Sequence, residues 1–241
     1  MIAQQVTLTY LGSVLYYAQS NRKEELSLKK IIPRLLQMTA GLIVFALGLA
    51  LAIKANIGYS PWEILHHGIS KTTGITIGQA GIILGVFLVI FVTLAGEKLG
   101  LATVFNIILI GTFTDLFLKL LPLSPDWIVG VAMLLGGLFA VSFGTFLYVG
   151  SGFGVGPRDN LMILLRRKTK LPAGICRSAV ELIVTTIGWR LGGMVGFGTI
   201  LAVIAIGFCI QITFRACKFD VTAVKHETLR ETLASLKAPR R

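Results

Sequence analysis

Displaced by 96 positions, the chain aligns with itself without a gap. Gly41 falls on Gly137, Gly48 on Gly144, Gly58 on Gly154, Pro61 on Pro157, Leu65 on Leu161, Gly100 on Gly196, Thr103 on Thr199 and Gly111 on Gly207. Residues 41–111 set against 137–207 hold 15 identities in 71 pairs, seven of them Gly on Gly. Chance placement of the 11 and 13 glycines in these windows would give about two such pairs. The chain is a duplication, so whatever one half folds into, the other half folds into as well.

Composition says what that unit is. The sequence is 54% hydrophobic and 14% charged, with mean hydropathy +0.80, whereas soluble domains carry about 25% charged residues. A spanning helix needs about 20 apolar residues. Six runs qualify: Leu35–Ile53, Gly78–Ala95, Leu101–Leu121, Trp127–Gly150, Gly174–Leu191 and Phe197–Phe214. Each repeat supplies three. The expected fold is an all-α integral membrane protein of six transmembrane helices, arranged as two three-helix repeats. Residues 31–121 form the first repeat and 127–217 the second. Residues 1–30 form a cytoplasmic or interfacial extension, and 218–241 a basic cytoplasmic tail.

With the N-terminus inside, 19 of the 23 Lys and Arg residues fall on the cytoplasmic side, leaving only Lys54, Lys71, Lys119 and Arg190 outside. This positive-inside bias predicts that both termini are cytoplasmic. The net charge of +12 follows from that sorting and from attraction to anionic lipid headgroups. Nucleic-acid binding is excluded because no basic face is studded with aromatics. Cys176, Cys209 and Cys217 make no CxxC pair, so neither a disulfide framework nor a zinc site is expected. Three crossings per repeat is an odd number. The second copy therefore enters from the opposite side, and the repeats are expected to be inverted about an axis in the membrane plane, as in many secondary transporters.

Each repeat also holds a Gly/Pro-broken short helix. The first reads Asn56-Ile57-Gly58-Tyr59-Ser60-Pro61-Trp62-Glu63 and the second Gly152-Phe153-Gly154-Val155-Gly156-Pro157-Arg158-Asp159. Proline suits a first helical turn because its missing N–H was unpaired there, and Ser60 with Glu63 has capping-box spacing. Helices of about 11 residues, roughly half a bilayer long, are expected over Pro61–Lys71 and Pro157–Lys168, either dipping into the membrane or lying on it. If the breaks lie deep, their free N–H groups and positive helix ends face a cavity. In the alternative, Gly-Pro shapes a surface turn and Arg158–Asp159 is an interfacial salt bridge.

The stretches Gly58-Tyr59-Ser60-Pro61-Trp62, Gly154-Val155-Gly156-Pro157-Arg158-Asp159-Asn160-Leu161-Met162 and Gly192-Gly193-Met194-Val195-Gly196-Phe197-Gly198-Thr199 resemble the YczE/YitT-type family of bacterial membrane proteins over about residues 35–215. Family members commonly carry Gly after the Asp, where this chain has Asn160. The resemblance implies a bacterial multi-pass membrane protein and names no substrate.

Ionisable groups inside spans are functional candidates by default. Asp115 sits in the third span with Gln211 as its repeat counterpart, and reads either as functional or as a helix–helix hydrogen bond. Arg177 and Glu181 are four apart and read as an ion pair. Glu63 and Asp159 are counterparts that could cap their helices or carry a coupling proton. His66 and His67 point about 100° apart on a helix and read as interfacial residues, so no metal and no cofactor is expected. Gly81-xxx-Gly85 and Gly188-xxx-Gly192 fit internal packing or a homodimer. With no nucleophile elbow, phosphate loop or zincin motif, no enzyme is expected.

The function expected is a secondary transporter or exporter of a small polar or anionic solute in the bacterial inner membrane. The alternative is a scaffold that assists a partner and moves nothing. The substrate-path candidates are Tyr59, Ser60, Pro61, Trp62, Glu63, Gly156, Pro157, Arg158, Asp159, Asn160, Asp115 and Gln211. Arg158 would hold an anionic group, and Tyr59 and Trp62 would form a gate.

Overall fold

The computed structural model describes residues 31–237; the extension expected over residues 1–30 and the last four residues lie outside them. Among the described residues there are helices and connecting segments and no strands. Helix α1 runs Ile31–Lys54, α2 Pro61–Thr73, α3 Ile77–Leu94, α4 Leu101–Phe105, α5 Gly111–Leu120, α6 Trp127–Gly150, α7 Pro157–Thr169, α8 Ala173–Arg190, α9 Phe197–Ala216 and α10 Leu229–Lys237. A π-helical turn at Asn106–Ile110 joins α4 to α5, so the two form one rod.

The helix boundaries follow from local chemistry. Thr76 and Gln79 cap α3 reciprocally, and the Asp126 side chain accepts the Val129 N–H at 2.9 Å to start α6. Helix α2 stops at Gly74, which takes φ 79° and gives its N–H to the Ser70 carbonyl. The breaks before α2 and α7 depend on Gly58 and Gly154, at φ 120° and 106°, where a side chain would be strained.

Among the described residues, five helices are long and apolar enough to cross a membrane: α1, α3, the α4–α5 rod, α6 and α9. Six were expected. The sixth candidate, α8, has the 18-residue length of α3 but carries Arg177, Glu181 and Arg190 and falls short in apolarity. The outer surface is that of a membrane protein. Phe87, Leu94, Ile128, Ile200 and Phe208 are each more than half exposed, an arrangement that water would penalise and lipid does not.

Helices α1 and α6 cross on glycine. A Cβ on Gly41 would stand 2.8 Å from the Gly144 carbonyl oxygen, and one on Gly48 2.5 Å from that of Gly137. These contacts exchange under the 96-residue displacement: Gly41 meets the counterpart of Gly48, and Gly48 meets the counterpart of Gly41. The same exchange holds at the breaks. The Gly198 N–H donates to the Ile57 carbonyl at 2.7 Å and the Ala102 N–H to the Phe153 carbonyl at 2.9 Å, while Gly58 packs on Gly196 and Gly154 on Gly100.

The connecting segments gather at two ends. At one, the Ser124 N–H donates to the Lys54 carbonyl, the Tyr59 N–H to the Met194 carbonyl, and Lys71 lies against Gly192. At the other, Arg167 pairs with Glu97 at 3.0 Å and the tail is stitched down. There Arg34 donates to the Ser151 carbonyl at 2.8 Å, pairs with Glu227 at 2.7 Å and lies over the Phe153 ring at 4.4 Å. The Glu227 N–H bonds the Gly152 carbonyl and the Leu229 N–H that of Leu99, both at 2.8 Å.

Candidate functional site: a cavity between the two broken helices

Both short helices are slightly longer than expected, at 13 residues each; the start of α2 is enclosed, whereas α7 buries one face and leaves Asp159, Ile163 and Arg166 to Thr169 exposed. Every α2 residue from Pro61 to His66 is buried, as are Pro157, Asn160, Leu161 and Leu164 of α7. Trp62 and Leu65 share one hydrophobic cluster with Leu161, Leu164, Leu88 and Val92. The amphipathic periodicity that suggested an interfacial helix instead serves to pack α2 and α7 against α3 and α8.

A cavity of about 240 Å³ separates the two breaks. Eight of the twelve candidate residues line it: Ser60, Pro61, Trp62, Glu63, Gly156, Pro157, Arg158 and Asp159. Non-helical backbone at this depth survives because it is enclosed by protein. Arg158 donates through both terminal nitrogens to Glu63 Oε1 at 3.3 Å and lies 4.8 Å above the Trp62 ring. Trp62 and Arg158 are counterparts, so the two halves meet here like on like.

Three local expectations change. The capping box does not form: the Ser60 hydroxyl donates to the Glu63 carboxylate and caps no backbone N–H. A carboxylate with only 4% of its side chain exposed collects donors, and the hydroxyl is the nearest one. The Arg158–Asp159 pair does not form either, because neighbours on a helix point about 100° apart. Arg158 reaches across to Glu63, and Asp159 accepts from the Tyr148 hydroxyl at 3.1 Å. Nor is His66 interfacial. It is buried and lines the cavity, because α2 is inserted in the bundle. His67 stands edge-on to the Tyr59 ring at 5.0 Å. Among the described residues no cluster of His, Cys, Asp and Glu could hold a metal.

The other four candidates lie elsewhere. Tyr59 is buried with Ile53 and Ile64, away from the cavity. Asn160 donates to Thr103 Oγ1 at 3.3 Å, and Thr103 to the Val155 carbonyl at 2.7 Å, bracing the second break against α4. Asp115 accepts from the Thr76 hydroxyl and from the Gly78 N–H at 2.7 Å, so it caps α3. Its counterpart Gln211 is exposed. Asp115→Ala is therefore expected to cost about 1–2 kcal/mol of stability, as losing a helix cap does, measured by thermal unfolding in detergent.

Sequence reasoning left several lining residues out of the site. Arg177 and Glu181 form the expected ion pair, at 2.8 Å, but it borders the cavity, as do Asn106, Tyr148 and His66. Asn106 is a polar residue within the apolar run Leu101–Leu121, a signal the sequence does carry. Tyr148 gave no signal, because its role depends on where α7 sits.

The family model for proteins of unknown function termed DUF6198 matches residues 32–215. The chain belongs to that family. It is 33% identical over 204 residues to the uncharacterized membrane protein YczE of Bacillus subtilis, covering 83% of this chain and 93% of that one. An uncharacterized protein of Haemophilus influenzae is 32% identical over 178 residues, covering 72% and 82%. The uncharacterized protein YyaS of Bacillus subtilis is 28% identical over 177 residues, covering 71% and 88%. No solved structure matches. The resemblance to YczE-type membrane proteins expected from the Gly-Pro-Arg-Asp element thus extends over most of the chain.

Proposed function

We propose that this protein is a secondary transporter or exporter that moves a small polar solute across the bacterial inner membrane by alternating access of two inverted three-helix repeats. The observation that carries the reading is the 240 Å³ cavity lined by both breaks and by charged groups from both halves. The exchanged contacts support the inversion, since a two-fold axis between the halves produces that pattern. Helix α8 is the sixth crossing in this reading. It runs from the end where Arg167 meets Glu97 to the end where Gly192 meets Lys71. Its Arg177 and Glu181 turn to the cavity, where charge is tolerated in a spanning helix. Both termini are cytoplasmic. Arg158 is held by Glu63, so an anionic solute would have to displace a carboxylate to use it.

The test is flux. Full-length protein in liposomes, offered a mixture of small metabolites, should deplete at least one of them from the outer solution. Arg158→Ala should lower that flux at least tenfold. The same vesicles carrying single cysteines at Thr73 and Thr169, in a background without the three native cysteines, should label from opposite sides. Labelling from one side ends the inverted arrangement. Absence of any flux in the wild type favours a scaffold that moves nothing.

A further inference from the structure

The charges of the cavity do not balance. Its lining includes the carboxylates of Glu63, Asp159 and Glu181 and the guanidinium groups of Arg158 and Arg177. Four of these are committed in pairs, Arg158 to Glu63 at 3.3 Å and Arg177 to Glu181 at 2.8 Å. Asp159 is left over. Among the described residues it makes no ion pair, and its hydrogen bond comes from the neutral Tyr148 hydroxyl on α6. Asp159 is exposed and lines the cavity. Arg158 and Arg177 act on it only from longer range. The remaining titratable groups facing the same space are Glu63 and His66 of α2 and Glu181 of α8.

An ionised carboxylate on the wall of a largely apolar cavity is costly unless positive charge meets it. The start of α7 supplies about half a charge, as the start of α2 does for Glu63. The rest has to arrive with a proton or with a cation that enters the cavity. The walls select between kinds of cation. They are aliphatic and aromatic, and Trp62 already carries a guanidinium on its face at 4.8 Å, the attraction that also draws alkylammonium ions to aromatic rings. A bare divalent metal needs several oxygen ligands, which this lining does not gather.

We infer that the cavity binds a small organic ammonium ion, with Asp159 as its counter-ion. This rests on the transporter reading and specifies its cargo and its coupling. One proton leaves the Asp159 carboxyl as one monovalent ammonium takes its place, so the charge of the site is unchanged and the exchange is an antiport.

The test uses the full-length protein with tetraethylammonium as probe and succinate as the anionic comparison, by calorimetry from pH 6 to pH 8 and by flux in liposomes. Tetraethylammonium should bind. Its affinity should weaken as pH falls, approaching tenfold per pH unit where Asp159 is mostly protonated, and its flux should drive protons the other way. Asp159→Asn should weaken binding at least 30-fold and abolish the pH dependence, whereas Asp159→Glu should stay within a few-fold of wild type. Should Asp159→Asn not fold, the wild type still decides: tetraethylammonium should protect Asp159 from carbodiimide labelling, mapped by mass spectrometry. Tetraethylammonium that fails to bind, or binds without regard to pH and Asp159, overturns the assignment. Succinate bound and carried through Arg158 overturns it too, but leaves the transporter reading standing. Proton-competed tetraethylammonium binding with no flux of any solute supports the site and ends the transporter reading.

Discussion

Gly48→Leu should prevent the α1–α6 crossing from closing, with a loss of at least about 3 kcal/mol, at the upper end of overpacking penalties. The first atom added already stands 2.5 Å from the Gly137 carbonyl oxygen and 2.6 Å from the Val141 backbone nitrogen. Both are backbone atoms of a helix and cannot rotate away, so the two helices have to separate along their length. Gly136→Leu is the control. It lies beside Gly137 with nothing within 4 Å of an added Cβ, and stability should change little. Thermal unfolding of purified protein in detergent separates the two. Equal effects at both positions would mean that the close approach of α1 and α6 at Gly48 does not decide stability.

Arg158→Ala should cost on the order of 3 kcal/mol, the low end of what breaking a buried ion pair costs. The low end applies because the Arg158 side chain is 31% exposed, whereas that of Glu63 is 4% exposed. Removing the guanidinium leaves Glu63 with the Ser60 hydroxyl and no positive partner. Adding Glu63→Gln to Arg158→Ala should recover much of the loss, since the group that was costly to bury is then neutral. A double-mutant cycle measured by thermal unfolding should therefore show a strong coupling. Additive effects would place the two side chains apart.

The duplication made most of the scaffold legible. It located the breaks, the short helices and the helix ends within a few residues, because glycine and proline leave local marks that need no partner. The pairing of side chains across the repeats was not legible. Glu63 lies beside Ser60 in the chain and Arg158 beside Asp159, yet the bond forms between Glu63 and Arg158, a consequence of how two copies face each other. Asp115 and Gln211 show a second limit. They correspond without a gap, but the π-helical turn at Asn106–Ile110 has no equivalent in the continuous helix α9. An extra residue in one turn rotates everything after it. Asp115 therefore meets the start of α3 while Gln211 faces outward, and Gly111 packs on Gly78 while Gly207 touches nothing within 4 Å. Helix α8 shows a third: Arg177 and Glu181 lower its apolarity yet border the cavity, a placement that no window average can see.

Perfect copies related by a two-fold axis would give two conformations of equal free energy, exchanged by that rotation. The stitches from Glu227 and Leu229 to Gly152 and Leu99, with Arg34 clamped between Ser151 and Glu227, secure one break; at the other the Ser124 N–H holds the Lys54 carbonyl and the Tyr59 N–H that of Met194, with no clamp like that of Arg34 among the described residues. In an alternating-access cycle, each 1.4 kcal/mol of difference between the two fastenings would multiply the resting population of one conformation tenfold over the other. Under the alternating access proposed above, the tail would set which compartment an idle molecule faces, and trimming it would move that balance without altering a residue that lines the cavity.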